Sequence, residues 1–289
     1  MKTLITMVFL LVSAAGAQMQ VREQGLVANL YLPQGRAGRV PAVILLAGSD
    51  GGFGRQDSVA AVLAKEGYAA LVLAYFGLEG LPQELDRIPL EYFEAAVKYL
   101  RSQPQVDPKK IALAGYSKGG EAVLLLASRM PDIRAVVAFV PSSVVWQGIA
   151  KGFPKISSWS EHGRPLPFVP YVTLDRSIDL RELYTLSLRQ EEAVRDATIP
   201  VERIRGPVLL LSGRDDKIWP STEMCEVIVA RLKSKRFRHS YEHVAYDNAG
   251  HGISSIRDNV TRGGGTDDGN RRAQLDAQQR MLAFLKKYL

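Results

Sequence analysis

The residues best suited to covalent chemistry in this 289-residue sequence lie in the stretch Gly115-Tyr116-Ser117-Lys118-Gly119. A serine hydroxyl is a weak nucleophile at neutral pH, so it needs a base that removes its proton and an acid that orients the base. An apolar run precedes this stretch and an apolar helical pattern follows it. In such a strand-to-helix turn, glycines two positions before and after the serine permit close packing, and the hydroxyl is lifted clear of the sheet. The pattern therefore predicts Ser117 as a nucleophile.

Two later loops contain the acid and the base that such a serine requires. A loop with Asp215 and Asp216 follows the buried strand predicted at residues 208–212, and a loop with His251 follows the strand predicted at residues 240–246. The chain order serine, acid, histidine, with each residue after a different strand, is typical of a nucleophile-elbow enzyme. We predict His251 as the general base.

The acid of the triad is predicted to be Asp216. This residue lies three positions after Gly213 and four before Pro220, which is the usual place of the acid in such a loop. Asp215 remains an alternative.

A glycine-rich loop after the strand predicted at residues 42–47 can complete the site. It reads Gly48-Ser49-Asp50-Gly51-Gly52, and its glycines let backbone N–H groups approach a substrate oxygen. We predict the N–H groups of Ser49 and Lys118 as the oxyanion donors. A phosphate-binding loop is disfavoured because no Gly-Lys-Ser/Thr ending is present.

The remaining histidines and the single cysteine do not predict a metal or a cofactor. His239 and His243 are four residues apart on or beside a predicted strand, where their side chains would not converge on one ion, and His162 is predicted at the surface. Cys225 is the one cysteine, so no internal disulfide can form, and it lies in an apolar helical pattern at residues 223–232. We expect it to be a core residue.

Apolar runs and helical patterns alternate along most of the chain. Strands are predicted at residues 27–32, 42–47, 69–74, 111–114, 135–140, 208–212 and 240–246, and helices at residues 56–66, 90–102, 119–129, 223–232 and 271–288. Continuous apolar strands are typical of strands buried on both faces, and their alternation with helices predicts an α/β fold with a mostly parallel, doubly wound sheet. The weaker pattern at residues 27–32 predicts an edge strand.

Two segments interrupt this alternation. Residues 141–206 combine scattered prolines with six aromatic residues and a charged helical pattern near residues 179–197, and we interpret them as a cap-like insertion over the carboxyl edge of the sheet. The aromatic residues are Trp146, Phe153, Trp159, Phe168, Tyr171 and Tyr184. Residues 261–270, rich in glycine and aspartate, are predicted to be a flexible loop.

The net charge of +7 does not identify a partner, because basic and acidic residues alternate through most of the chain. The densest basic run, at residues 233–238, is predicted to be a solvated helix end, and no nucleic-acid-binding motif accompanies it.

The first residues have the layout of a secretory signal peptide. A lysine at position 2 precedes an apolar run of about a dozen residues and a small-x-small site that ends at Ala17. The run is shorter than the ~20 residues that a membrane-spanning helix needs. We therefore predict a signal peptide at residues 1–17, export to the periplasm or beyond the cell, and a hydrolytic domain at residues 18–289 with no membrane span. The sequence sets no oligomeric state.

Three motifs together resemble a known family. Gly-Tyr-Ser-Lys-Gly-Gly-Glu from position 115, Gly-Arg-Asp-Asp-Lys-Ile-Trp-Pro-Ser from position 213 and Gly-His-Gly-Ile from position 250 are similar to the catalytic C-terminal domain of acyl-CoA thioester hydrolases and bile acid-CoA:amino acid N-acyltransferases. That family is a branch of the α/β-hydrolases near the dienelactone hydrolases. The resemblance implies an α/β-hydrolase fold and a triad at Ser117, Asp216 and His251. The family's amino-acid acyltransferases use cysteine as nucleophile, so Ser117 favours water as the acyl acceptor.

The first hypothesis for the function is a serine acyl hydrolase that cleaves a thioester or a carboxylic ester through an acyl-enzyme. The alternatives are an acyltransferase that passes the acyl group to an amine or alcohol, and a non-catalytic binding protein on a hydrolase scaffold. The expected partner is a small acyl ester or thioester, and no nucleic acid is expected.

Overall fold

The predicted buried strands form one large sheet, to which shorter strands are added. The computed structural model describes residues 10–13, 16–254 and 261–289. Its strands are β1 (Leu10–Ser13), β2 (Gly16–Val21), β3 (Val27–Leu32), β4 (Val40–Leu46), β5 (Ala69–Ala74), β6 (Ile88–Pro89), β7 (Val106–Tyr116), β8 (Ala135–Phe139), β9 (Trp159–Glu161), β10 (Arg164–Pro165), β11 (Val208–Gly213) and β12 (Tyr241–Tyr246).

The large sheet has the order β1-β2-β3-β5-β4-β7-β8-β11-β12. From β5 to β12 all neighbours are parallel, while β1, β2 and β3 are added in antiparallel pairs at one end. The mostly parallel sheet is confirmed. The prediction that Val27–Leu32 is an edge strand is wrong, because β2 pairs with its outer side and β5 with its inner side. The apolar pattern of β3 is weaker than that of the central parallel strands, because β3 lies in the antiparallel end of the sheet.

Helices cover both faces of the sheet, because alternate side chains of a strand point to opposite faces. They are α1 (Gln56–Lys65), α2 (Leu90–Ser102), α3 (Lys118–Ala127), α4 (Leu180–Ser187), α5 (Glu191–Ala197), α6 (Ser221–Ser234) and α7 (Asp267–Tyr288). Along β4, Ile44 and Leu46 share a core with α2, α3 and α6, whereas Val43 and Leu45 pack with α1 and α7. Burial of one such side chain stabilises the fold by ~1.5–3 kcal/mol.

The connection between β8 and β11 contains the predicted insertion. It includes β9 and β10, which join β6 in a three-stranded sheet, and the helices α4 and α5. Asp179 begins α4 as its N-cap, with a carboxylate oxygen 2.7 Å from the backbone N–H of Glu182. The connection between β8 and β11 therefore contains strands and helices of its own and is not an irregular loop.

The prediction of a flexible loop at residues 261–270 is wrong. Residues 261–263 form a 3₁₀ turn, Gly264 and Gly265 make bridges to Asp216 and Ala249, and α7 begins at Asp267. Thr266 is the N-cap of α7 and accepts a hydrogen bond of 3.0 Å from the N–H of Gly269. Glycine composition suggested flexibility, but these glycines have positive φ angles and allow two other loops to approach closely.

The N-terminal prediction lies largely outside the structure. Residues 1–9 and 14–15 of the predicted signal peptide are not among the described residues, and residues 10–13 are in β1. Cleavage and export therefore stay predictions. Within the described ranges, no helix is long and apolar enough to span a bilayer.

The substitution Gly264→Ala should lower the stability of the fold more than the same substitution at a turn glycine with open space around it. Gly264 has φ +93°, and an added Cβ would lie 1.8 Å from the backbone oxygen of Asp215. Gly38 is the matched control, because it has φ +86° with nothing within 4 Å of an added Cβ. Gly38→Ala should cost only the left-handed backbone strain, roughly 1–2 kcal/mol.

Scanning calorimetry of both variants measures the difference. We expect the drop in Tm of Gly264→Ala to be at least twice that of Gly38→Ala, since the backbone of the Asp215 loop must also move. Equal drops in Tm would show that residues 264–265 do not hold that loop.

Candidate active site

The turn that contains Ser117 runs from the carboxyl end of β7 to the first residue of α3. Ser117 has φ 57° and ψ −117°, a strained conformation for a residue with a side chain. A Cβ on Gly115 would lie 2.1 Å from the Gly119 oxygen, and one on Gly119 would lie 2.4 Å from the Ala47 oxygen. The glycines at these two positions are therefore required by contact with backbone, as the motif predicted.

The structure brings Ser117, His251 and Asp216 into one hydrogen-bonded chain. The Nε2 atom of His251 lies 2.9 Å from Ser117 Oγ, and its Nδ1 atom lies 2.8 Å from Asp216 Oδ2. All three residues are buried, with 5%, 6% and 1% of the surface of Ser117, His251 and Asp216 exposed. An Asp216 carboxylate that accepts from Nδ1–H leaves Nε2 as the acceptor for the serine proton.

Four donors converge on the Asp216 carboxylate. Besides His251, the N–H groups of Ile218 (2.9 Å) and Trp219 (3.3 Å) donate to Oδ1, and the Ser221 hydroxyl (2.6 Å) donates to Oδ2. These bonds hold the carboxylate in one orientation toward the imidazole. Asp215, the alternative from the sequence, is exposed, so the structure places Asp216 and not Asp215 against His251.

The loop of His251 is held by residues of the segment 261–270, which was predicted to be flexible. The Gly263 carbonyl accepts from the N–H of His251 (2.9 Å) and from the N–H of Lys217 in the acid loop (3.0 Å). In α7, Asn270 accepts from the Gly250 N–H at 2.8 Å. One segment thus ties the loop of the acid to the loop of the base. No motif marked these residues in the sequence, because their role depends on two distant loops.

Aromatic rings enclose the imidazole of His251. The Tyr116 ring lies 5.2 Å and the Trp219 ring 5.8 Å from it, centroid to centroid. The Trp219 indole N–H donates to the Val140 carbonyl at 3.0 Å, which fixes that ring. These contacts limit the orientations that the imidazole can adopt.

The predicted oxyanion donors lie on either side of the nucleophile. A Cβ on Gly48 would be 3.2 Å from the Cβ of Ser117, so the loop that contains Ser49 passes directly beside the serine. Lys118 is the first residue of α3, where a backbone N–H has no acceptor within the helix. The Tyr75 hydroxyl donates to the Ala47 carbonyl at 2.8 Å and so holds the base of the Ser49 loop. The donor roles themselves stay predictions.

Two adjoining cavities reach the site. The catalytic cavity, about 310 Å³, is lined by residues that include Ser117, His251 and Ser49. The insertion cavity, about 560 Å³, is lined mainly by apolar side chains of the insertion. Ser49, Leu180 and Ile218 line both cavities and mark their junction. The insertion cavity lies within the 300–1,000 Å³ range of small-molecule sites.

The aromatic residues of the insertion fall into three groups, one of which is Phe168 alone, partly buried and lining neither cavity. Phe153, Tyr171 and Tyr184 line the insertion cavity. Trp146 and Trp159 are fully buried and line neither cavity. Burial raises the pKa of Tyr184 to about 12, so its hydroxyl is neutral at physiological pH.

A buried ion pair that no sequence motif indicated lies in the first turn of α3. The Lys118 ammonium is 2.7 Å from Glu121 Oε2, and the two side chains are 1% and 0% exposed. Burial lowers the pKa of Lys118 and raises that of Glu121, while their mutual attraction opposes both shifts. The spacing i, i+3 was visible in the sequence, but the burial of both charges was not.

The other histidines and the cysteine lie apart from the site. His162 is exposed at the surface, Cys225 is buried in α6, and His243 Nε2 is 2.8 Å from the Ser212 hydroxyl. Burial lowers the pKa of His243. Within the described residues, no group of three or more histidine, cysteine or acidic side chains is arranged to hold a metal ion.

Comparison with known proteins shows which family has a sequence similar to that of this chain. Residues 88–289 match the model of a family described as BAAT / Acyl-CoA thioester hydrolase C terminal. Acyl-coenzyme A thioesterase 6 of Mus musculus is 32% identical over 287 residues, which cover 93% of this chain and 64% of that protein. The chain thus spans less than two thirds of the length of this relative.

Solved structures support the fold. An α/β-hydrolase from a Medee basin deep-sea metagenome library superposes with a TM-score of 0.55 at 18% identity, covering 92% of this chain and 94% of that one. A dienelactone hydrolase-like promiscuous phosphotriesterase from metagenomic libraries gives a TM-score of 0.59 at 17% identity, covering 91% of this chain and 92% of that one. The predicted α/β-hydrolase fold is confirmed.

The two neighbouring aspartates provide a matched test of the triad. Asp216→Asn should slow covalent labelling of Ser117 by a fluorophosphonate by roughly 10³–10⁴-fold, because the amide no longer holds the imidazole in the tautomer that accepts the serine proton. Asp215→Asn, one residue away and exposed, should label within about twofold of the wild type, as surface changes usually do. Labelling rates are read by intact mass. A larger loss in Asp215→Asn than in Asp216→Asn would overturn the assignment.

Proposed function

This chain belongs to the BAAT / acyl-CoA thioester hydrolase C-terminal family, and from that membership we propose that it is a serine hydrolase of acyl thioesters or carboxylic esters. The observation that carries the proposal is the buried chain from Ser117 through His251 to Asp216, which opens on the catalytic cavity. That cavity adjoins the apolar insertion cavity at Leu180 and Ile218. The thioesterase named among its relatives supports a thioester as the substrate bond.

In the first half-reaction, Ser117 Oγ attacks the acyl carbonyl carbon while His251 Nε2 takes the hydroxyl proton. The tetrahedral intermediate places its negative oxygen between the backbone N–H groups of Ser49 and Lys118, which stabilise it in the transition state. The bond from carbon to the leaving sulfur or oxygen then breaks, and His251 returns its proton to the leaving group. The product of this step is an acyl ester on Ser117.

In the second half-reaction, water attacks the acyl ester and gives a proton to His251. The second tetrahedral intermediate collapses, the bond to Ser117 Oγ breaks, and the protonated imidazole restores the serine hydroxyl. Asp216 keeps its charge throughout and stabilises the imidazolium that forms twice in the cycle.

The insertion cavity is the proposed site of the acyl chain. It adjoins the catalytic cavity at Leu180 and Ile218, and its walls are mainly apolar. Each methylene that enters such a cavity contributes ~0.8 kcal/mol of binding, about a fourfold gain in affinity. The cavity therefore selects for an apolar acyl group.

Transfer of the acyl group to an amine or alcohol is the rival reaction of the same acyl-enzyme. Water is favoured as the acyl acceptor because the proposed nucleophile is serine, whereas the amino-acid acyltransferases of the family use cysteine. Export through the predicted signal peptide is part of the proposal as well, and N-terminal sequencing of the mature protein would test it.

Ser117→Ala should abolish turnover of p-nitrophenyl esters and of acyl-CoA, with losses of roughly 10⁴–10⁶ in kcat, because no acyl-enzyme can form. Initial rates with both substrate classes, followed by product analysis with added glycine or taurine, are the measurement. Free acid as the main product supports hydrolysis, whereas an amide product favours transfer. Equal turnover by wild type and variant, or none by a folded wild type across short and long acyl groups, would revive the non-catalytic alternative.

Leu180→Trp should shorten the acyl chain that the enzyme prefers. Leu180 is the first residue of α4, it is 51% exposed, and it lines both cavities. A bulky ring there obstructs the junction, so the kcat/KM for a dodecanoyl ester should fall at least tenfold relative to that for an acetyl ester, the cost of about two methylenes. Leu275→Trp is the matched control, because Leu275 is 42% exposed on α7. An unchanged chain-length profile in Leu180→Trp would place the acyl chain elsewhere.

A further inference from the structure

The buried carboxylate of Glu121 collects donors from two separate parts of the fold. Its Oε2 atom accepts from the Lys118 ammonium at 2.7 Å, one turn away in α3. Its Oε1 atom accepts from the Trp159 indole N–H at 2.7 Å and from the Trp146 backbone N–H at 3.2 Å, and both tryptophans belong to the insertion. Glu121 therefore joins the helix that follows the nucleophile to the insertion that forms the acyl cavity.

Stability alone does not account for this arrangement. Taking two charges out of water costs several kcal/mol per ion, and apolar residues of similar volume are often as stable as a buried ion pair. The alternative of a surface role is excluded by burial, since both side chains are at most 1% exposed. A buried pair with several donors does specify one arrangement of the groups around it. That arrangement includes the residues proposed to bind the oxyanion.

One connection runs from the ion pair to Lys118 itself. The backbone N–H of Lys118 is a proposed oxyanion donor, and the side chain of the same residue is fixed by Glu121 and lies 5.5 Å from the Trp159 ring. Loss of the carboxylate would leave a buried ammonium without a partner, and the first turn of α3 would have to adjust.

A second connection runs to the Ser49 loop. The Trp159 ring lies 5.7 Å from the Tyr75 ring, and the Tyr75 hydroxyl donates to the Ala47 carbonyl two residues before Ser49. Both proposed oxyanion donors are thus linked to Glu121. Lys118 contacts Glu121 directly, and the Ser49 loop is linked to it through Tyr75 and Trp159.

A third connection runs to the insertion cavity. Glu121 fixes the backbone of Trp146, whose ring lies 4.7 Å from that of Tyr184. Tyr184 lines the cavity, and its hydroxyl is 3.3 Å from that of Tyr171.

We propose that Glu121 is a positioning residue for the oxyanion hole. Glu121 acts on the hole through the Lys118 side chain and through Trp159, and it aligns the hole with the insertion cavity. Glu121 exchanges no proton with the substrate and forms no bond to it. The inference rests on the proposed function, because it assigns a role within that reaction.

The double variant Lys118→Met/Glu121→Gln tests the inference without leaving a lone buried charge. Both charges are removed, similar volumes are kept, and the glutamine oxygen can still accept from Trp159, so the fold should be retained. The single variant Glu121→Gln leaves the Lys118 ammonium unpaired and should lose more, both in Tm and in rate. The matched control is Arg231→Met/Glu202→Gln, which removes a partly exposed pair between the last turn of α6 and the segment before β11, with 2.7 Å between Arg231 Nη2 and Glu202 Oε1.

Two readouts separate positioning from folding. The fraction of protein that a fluorophosphonate finally labels counts the competent sites, and the rate constant of labelling reports the site itself. In the double variant the labelled fraction should match that of the wild type. The labelling rate and the kcat for a short ester should fall roughly tenfold to a hundredfold, which is less than the 10²–10³ that removal of a whole donor costs.

KM for the short ester should stay within about threefold of wild type, because the oxyanion exists only in the transition state. The Arg231/Glu202 control should keep wild-type rates. A reduced labelled fraction with an unchanged rate constant would mean a structural role only and would overturn the inference, as would wild-type kinetics of the double variant. If the wild type itself neither labels nor hydrolyses, the proposed function fails and the inference fails with it, a result that is distinct from the other two.

Discussion

The close backbone contact around Ser117 is the constraint on which the rest of the site depends. A strand and a helix can meet in so short a turn only when Gly115 and Gly119 lack side chains, since a Cβ on either would lie within 2.4 Å of a backbone oxygen. The turn leaves Ser117 in a strained conformation with its hydroxyl toward His251. Such strain persists only where the surrounding structure determines the conformation. Here the parallel sheet on one side and α3 on the other do so.

The parallel sheet then decides where the partners of Ser117 can lie. The loops after β4, β7, β11 and β12 all leave the sheet at its carboxyl edge, so Ser49, Ser117, Asp216 and His251 meet there although they are far apart in sequence. Additional hydrogen bonds fix the distances between loops. Gly263 bonds to the acid loop and to the base loop at once, and Asp216 accepts four donors. The site is therefore held by bonds between loops as well as by the sheet.

In the first turn of α3, directly after Ser117, the fold buries a charged pair at a position where apolar side chains of similar volume could also pack. The Lys118–Glu121 pair satisfies its hydrogen bonds with two tryptophans of the insertion, which connects catalytic helix and cavity wall through one carboxylate. The insertion therefore bonds to the helix that follows Ser117 and also lines the larger of the two adjoining cavities.

The sequence by itself determined the elements and the order of the chemical groups. Apolar runs of four or more residues identified the central parallel strands, and the glycine spacing identified the turn at Ser117, because these signals are local. The order of Ser117, Asp216 and His251 along the chain predicted which loops would meet. The sequence already favoured Asp216 over Asp215, but only the tertiary structure placed the Asp216 carboxylate against His251, gave residues 261–270 a defined fold, placed β2 outside β3 and buried the charges of Lys118 and Glu121. Each of these depends on contacts between segments distant in the chain, and neither composition nor periodicity records which distant backbone a residue will meet.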